Sequence, residues 1–357
     1  MKTSISITAI ALAFGMIACS KESTPEIQTS SLDTASVVEV TKKSEVPISN
    51  TERTVVFLAG FDKGSSTFYN DAKTYFENEK VEIVESAFSL QEIILWLNMN
   101  YNSMPFSNVH IVNKTKLNQM SLETTVKGEQ ITNYTLHEAM QDGTLPVLKN
   151  VLVSDANLIL HSSGIGTNKE LLSSLKDVFS IHITPKVIAS ENAVVFGSEY
   201  APKYMAKTFY AFYPTAQSPG RVDMAKQFST RYPEADIDWL SAMNNSSERY
   251  LGDVYSYKFN VPVRWDIDFF GDEEVPSFNT RKELITWMKN HDEISAELEA
   301  LGIPLEKFRW YQTEKNDTLI IKGKATVICV LEPIMNLAYP NEYMKPSIDN
   351  IRLYDTL

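Results

Sequence analysis

Hydrophobic and polar positions divide this chain into three stretches of different character. Residues 5–17 (ISITAIALAFGMI) form a single apolar run behind the basic start Met1-Lys2-Thr3-Ser4. The run is shorter than the roughly 20 residues that span a bilayer, so it reads as the core of a removable signal over 1–18 and not as an anchor. Residues 20–52 are dominated by Ser, Thr, Glu and Lys without a sustained apolar period, which predicts a flexible tether. From residue 54 onward short apolar runs alternate with longer stretches of helical period, and the folded part is expected there.

Thr54-Val55-Val56-Phe57-Leu58-Ala59-Gly60 is continuously apolar and ends in Gly, as suits a strand buried on both faces. Helix is predicted over 68–78, strand over 81–84, helix over 90–100 with Ile93, Ile94 and Leu97 on one face, and strand over 109–112. A helix over 134–141, a strand over 158–160 and a helix over 168–179 with Leu171, Leu172 and Leu175 follow. Strand-like runs at 186–189 and 193–196 precede a helix expected over 203–212. Such alternation predicts an α/β domain over 53–215, a mainly parallel sheet flanked by helices.

The composition changes near Ser218-Pro219-Gly220, and residues up to 257 read as helical and polar, with Trp239 and Tyr250 as candidate exposed aromatics. Residues 262–269 alternate like a half-buried strand, and a helix over 280–300 turns Leu284, Trp287, Met288, Ile294 and Leu298 inward until Gly302-Ile303-Pro304 stops it. Three strand-like runs at 308–311, 318–321 and 325–331 complete a smaller α+β domain with an antiparallel sheet over 216–357. Aromatic residues here and in Phe209-Tyr210-Ala211-Phe212-Tyr213 suit core packing, with a binding platform as the alternative.

Of the 357 residues 43% are hydrophobic and 11% aromatic, ample for a buried core. Lys and Arg total 33 against 45 Asp and Glu, net −12, which argues against nucleic acid as a partner because few cations are available to release phosphate counterions. The two cysteines, Cys19 and Cys329, cannot build a disulfide framework or a cysteine zinc site.

Met16-Ile17-Ala18-Cys19 resembles the lipobox of bacterial lipoproteins, where small or apolar residues precede the cysteine that receives the lipid. The resemblance implies that Cys19 becomes the acylated first residue and that residues 19–52 tether the folded part to a membrane of the cell envelope. Ser20-Lys21-Glu22 is similar to the charged export signals of surface lipoproteins in the Bacteroidetes group, which implies an outer-membrane, surface-exposed location.

In a parallel sheet, chemistry belongs at the carboxyl ends of the strands. Two such ends are Asn113-Lys114-Thr115 and His161-Ser162-Ser163-Gly164. Their order and spacing resemble the caspase-like superfamily of cysteine peptidases, which includes caspases, clostripain and gingipains. In caspases the catalytic His precedes the Cys by about 50 residues, and here Asn113 and Ser163 lie 50 positions apart. Residues 157–179 (NLILHSSGIGTNKELLSSLKDVF) resemble the strand, Cys-bearing turn and helix of that fold. The resemblance also exposes a departure: Asn113 or Lys114 stands where the family carries His, and Ser162 or, by better fit, Ser163 stands where it carries Cys.

A thiolate beside a His is a ready nucleophile, whereas a Ser hydroxyl needs a positioned base. The expectation is therefore a catalytically inactive caspase-like domain that binds an unknown protein or glycan or serves assembly. The alternative is a lipid-anchored hydrolase in which His161 activates Ser163 across a bent turn; His161 and Ser162, adjacent in an extended strand, point to opposite faces. Gly164 and Gly166 suit a tight turn better than a phosphate loop, since no Gly-Lys-Ser/Thr ending follows.

No metal or cofactor is expected. His110, His137, His182 and His291 form no His-x-x-x-His pair. The alternating acids Asp236 and Asp238, Asp266 and Asp268, and the run Asp272-Glu273-Glu274 suit solvated edges better than calcium sites. Cys329, in Val327-Ile328-Cys329-Val330-Leu331, reads as a small buried hydrophobe.

Overall fold

The computed structural model describes residues 53–60, 67–102, 104–116, 119–214, 219–271, 273–315 and 317–357. The signal, lipobox and tether of residues 1–52, Cys19 among them, lie outside the described residues, as does Asp272. In chain order the first elements are β1 (Arg53–Leu58), α1 (Thr67–Asn78), β2 (Glu82–Val84), α2 (Leu90–Met99), β3 (Phe106–Val112), the hairpin strands β4 (Thr115–Lys116) and β5 (Gln119–Met120), α3 (Asn133–Gln141), β6 (Leu152–His161), α4 (Lys169–Phe179) and β7 (Lys186–Ala189). They build a six-stranded sheet of order β13-β7-β6-β3-β1-β2, in which the last strand of the chain, β13 (Asp355–Thr356), adds an antiparallel edge to five parallel strands.

Local chemistry starts and stops these helices where the sequence pattern changes. Ser89 caps α2: its hydroxyl accepts from the Glu92 amide at 3.2 Å, and the Glu92 carboxylate accepts from the Ser89 amide at 2.9 Å. Asn168 caps α4 by accepting from the Leu171 amide at 3.0 Å. Ile93, Ile94 and Leu97 of α2 and Leu171, Leu172 and Leu175 of α4 cover one face of the sheet, on Val55, Phe57, Val109, Ile111, Leu158 and Leu160. Ala72 and Phe76 of α1 pack on Val56, Leu58, Val112, Ile159 and Ile188 of the other face. Each wholly buried Val, Leu, Ile or Phe side chain among them contributes about 1.5–3 kcal/mol.

The second sheet is antiparallel, of order β10-β12-β9-β8 with β11 beside β12. Its strands are β8 (Ala193–Phe196), β9 (Lys203–Pro214), β10 (Tyr255–Asp268), β11 (Arg309–Lys315) and β12 (Thr318–Pro333). Helices α5 (Arg221–Arg231) and α6 (Trp239–Asn244) cover one face, and α7 (Arg281–Lys289) and α8 (Asp292–Leu301) the other. The described residues thus form a mixed α/β fold of eight α-helices and two main sheets, one of them mainly parallel.

Three sequence expectations are corrected here. The stretch expected as a helix over 203–212 is strand β9. Its two faces are buried, Phe209, Ala211 and Tyr213 against α5 and α6 and Phe212 against the core of α7 and α8, so its apolar residues run together instead of alternating, while its many aromatic side chains favour a pleated backbone. The single helix expected over 280–300 is two: α7 ends at Lys289, and the chain turns through Asn290 and His291, residues of weak helix propensity, before acidic Asp292 and Glu293 open α8. The runs at 318–321 and 325–331 are one strand, β12, because Lys322-Gly323-Lys324 stays extended between β10 and β11. Gly302 ends α8 in the left-handed region, as the sequence predicts. The boundary expected at residue 215 falls just after β9; β8 and β9, before it, belong to the second sheet, and β13, after it, to the first.

Gly323 is required by close approach. A Cβ there would lie 2.3 Å from Trp310 Cζ3 and 2.7 Å from Val263 Cγ2. Trp310 is pinned in turn, its indole N–H donating to the Leu305 carbonyl at 2.9 Å and its ring stacked on Phe308 at 4.9 Å. We expect Gly323→Ala to lower stability by about 1–3 kcal/mol, read as a shifted urea midpoint with unchanged slope; an unshifted midpoint would show that Trp310 moves aside freely.

Candidate functional site

In the first sheet the chain passes from β1 through α1 to β2 on one side, then by way of α2 back across to β3 on the other side of β1, and continues outward to β6 and β7, so the direction of winding reverses at β1 and β3. Ligands of open α/β sheets bind outside the carboxyl ends of the strands at such a reversal. The residues found there are Ala59 and Gly60 after β1, Asn113 and Lys114 after β3, and Ser162 and Ser163 after β6. Register pairs Val112 with His161, and the Asn113 amide donates to the His161 carbonyl at 3.3 Å, so Asn113 and Ser162 stand side by side.

Asn113 is wholly buried, its Nδ2 donating to the Ala59 carbonyl at 2.7 Å. The same carbonyl accepts from the Tyr69 hydroxyl at 3.1 Å, and Tyr69 in turn accepts from the Lys114 amide at 3.0 Å. This small network ties the end of β1 to that of β3, with Lys114 itself exposed. Ser162 is also wholly buried, and neither its Oγ nor Asn113 Oδ1 has a partner among the described residues. Ser163 is half-buried at the start of the turn.

That turn is fixed to the end of β7. Gly164 adopts a φ of 76°, and its amide donates to Asn192; the Gly166 amide donates to the Ser190 carbonyl at 2.9 Å. A Cβ on Gly166 would stand 2.5 Å from the Ser190 carbonyl carbon, so this glycine serves backbone packing.

The opposite face carries a feature that reading each histidine singly misses. His110 of β3 and His161 of β6 share a hydrogen bond of 2.8 Å, Nδ1 to Nε2, with rings stacked at 5.1 Å and only 4° from parallel. Phe76 and Phe196 wall the pair, and the nearly buried Lys203 ammonium lies 5.4 Å from the Tyr75 ring centre and 5.8 Å from that of Phe196. Burial first, and the Lys203 charge second, push His110 down to about 3 and His161 well below its ordinary value. Burial also lowers Lys203 to about 8. The available signal was positional: both histidines occupy the same face of neighbouring parallel strands.

His161 Nδ1 has no partner, and no hydrogen bond joins Ser163 to either histidine among the described residues. His137 bonds Gln141 on α3, His182 lies exposed in a turn, and His291 packs on Trp287. Among the described residues no three His, Cys, Asp or Glu side chains gather as a metal site. Asp238 caps α6, Asp266 pairs with Arg264 at 2.7 Å and Asp268 accepts from Thr318, while Asp236, Glu273 and Glu274 are exposed. Cys329 is buried in β12; burial pushes its thiol up to about 12, against the opposing effect of hydrogen bonds with Tyr257 and Tyr210. Of the aromatics, Tyr250 is exposed, while Trp239 stacks on Phe228 in the core and Phe209, Phe212 and Tyr213 are buried.

Compared with protein-family models and with curated proteins, the chain matches none.

The histidine pair makes stability pH-dependent. Folded, both rings stay neutral; unfolded, each takes up a proton as pH falls below about 6.5. Stability contributed by the pair is therefore present above that value and lost as pH falls through it, by about 2 kcal/mol for His110 between pH 7 and 5 and with His161 acting in the same direction. Lys203 is charged in both states over this window and adds nothing to the slope. We expect the urea midpoint to drop across this interval and the drop to shrink in His110→Phe; an equal drop in that variant would place the acid sensitivity elsewhere.

Proposed function

We propose that this chain is a lipid-anchored envelope protein, held at the outer membrane through acylated Cys19 and exposed at the cell surface, whose caspase-like domain binds a protein or glycan or serves assembly without catalysing hydrolysis. The observation that carries this reading is the separation of candidate base from candidate nucleophile. Ser163 opens the turn after β6, and among the described residues no hydrogen bond joins it to His161, whose Nε2 is engaged with His110. A serine hydroxyl attacks only when a neighbouring base takes its proton. An amide such as that of Asn113 cannot do so, and the exposed Lys114 side chain offers no buried, oriented base.

The parallel sheet supports the caspase-like assignment in its coarse form, since the two strand ends singled out from the sequence lie side by side at the carboxyl edge. Asn113 acts there as a structural tie between strands, through Ala59. What such a site offers is strand ends and a turn on a buried platform, the arrangement on which recognition surfaces are built.

The test is labelling of the full chain with serine- and cysteine-directed activity probes, beside Ser163→Ala. The expected result is no labelling that depends on Ser163; labelling abolished in Ser163→Ala would make Ser163 a nucleophile and overturn the non-catalytic reading. For the anchor, we expect Cys19→Ala to move the protein from the membrane to the soluble fraction and to abolish incorporation of radiolabelled palmitate. Palmitate retained by that variant would remove Cys19 from the proposal.

A further inference from the structure

Away from the strand ends, α5 and the 3-10 turn Leu305–Lys307 both pack against β9 and leave a cleft of about 430 Å³ between them. Its volume falls within the range of small-molecule sites. Phe212, Phe228 and Pro304 line it together with three cations, Lys226, Arg231 and Lys307. No carboxylate is among the lining residues, in a chain whose net charge is −12. Among the described residues, none of the three cationic side chains is ion-paired or donates a hydrogen bond to protein.

Arg231 is the best placed of them. Its guanidinium carbon lies 5.1 Å from the centre of the Phe212 ring and 5.5 Å from that of Tyr232. Packing against aromatic rings orients the guanidinium while its N–H groups remain free to hold an oxyanion in a fork. A basic residue in the last turn of a helix ordinarily complements the helix dipole. That accounts for Arg231 at the end of α5, but not for Lys307, which arrives from a different segment, nor for Lys226 one turn earlier.

We propose that this cleft binds an organic anion, a phosphate, sulfate or carboxylate borne on a ring, with Arg231, Lys226 and Lys307 around the charge and the ring against Pro304. The inference rests on residues outside the β3 and β6 strand ends and stands whether or not Ser163 is catalytic.

The experiment is calorimetric titration of the full chain, in nonionic detergent, with phenyl phosphate as probe and phenol as its uncharged counterpart. Expected are saturable one-to-one binding of phenyl phosphate, none of phenol, and affinity lowered about tenfold or more in Arg231→Gln or Lys307→Gln, as loss of a charge-assisted hydrogen bond would produce. Arg231→Lys keeps the charge but loses the fork, and is expected to fall between the two. Lys322→Gln/Lys324→Gln, two exposed lysines of β12 outside the cleft, serves as control and is expected to bind like the unaltered protein. Thermal melting of each variant verifies folding. Absence of binding, binding unchanged in Arg231→Gln/Lys226→Gln/Lys307→Gln, or equal weakening in the control would each overturn the proposal.

Discussion

Much of this molecule depends on the pairing of β3 with β6. The parallel register that sets Val112 opposite His161 puts consecutive residues of each strand on opposite faces of one sheet. On one face it aligns Asn113 with Ser162; on the other it brings His110 and His161 within hydrogen-bonding distance. A slip of one residue would exchange the two sets and place an imidazole beside the strand-end serines. The wholly buried neighbours Val109, Ile111, Leu158 and Leu160 oppose such a slip, because it would turn their side chains out of the core beneath α2 and α4.

The second sheet is more than an appendage to the first. Val194 and Phe196 of β8 and Met205 of β9 enter the core beneath α1, and Lys203, the first residue of β9, supplies the charge that faces the histidine pair. Ser190, at the end of β7, donates from its hydroxyl to Leu353 and accepts from the Asn192 amide, which fixes the short crossing from one sheet to the other. The strand ends of the first sheet are thereby supported from below by residues of the second.

What was legible in the sequence follows physical rules of short range. The parallel strands and the helices over α1, α2 and α4 stand where the apolar runs and helical faces predict them, because their caps and buried faces are local properties. Strand β9 is covered on both faces, so burial erases its two-residue alternation and its apolar run does not distinguish strand from helix. The break between α7 and α8 is masked in the sequence because Leu284, Met288, Ile294 and Leu298 face one core on both sides of it. At the candidate site the strand ends were readable; the histidine pair and the cationic cleft were not, since each joins residues distant in sequence through register or packing.

Strand β12 has neighbours on both sides from Thr318 to Leu331: β10 on one, and β11 followed by β9 on the other. Its partner β9 is synthesised far earlier and carries Phe209, Ala211 and Tyr213 toward one core and Tyr204 and Phe212 toward others. Until β12 arrives, β9 lacks its central neighbour and keeps much of this aromatic surface uncovered. Folding of the second sheet is accordingly governed by the closure of a long loop, and an interrupted or truncated chain would present a sticky, half-built strand. Once closed, the β12 amides should be among the slowest in the molecule to exchange with solvent deuterium, opening only when the whole sheet comes apart.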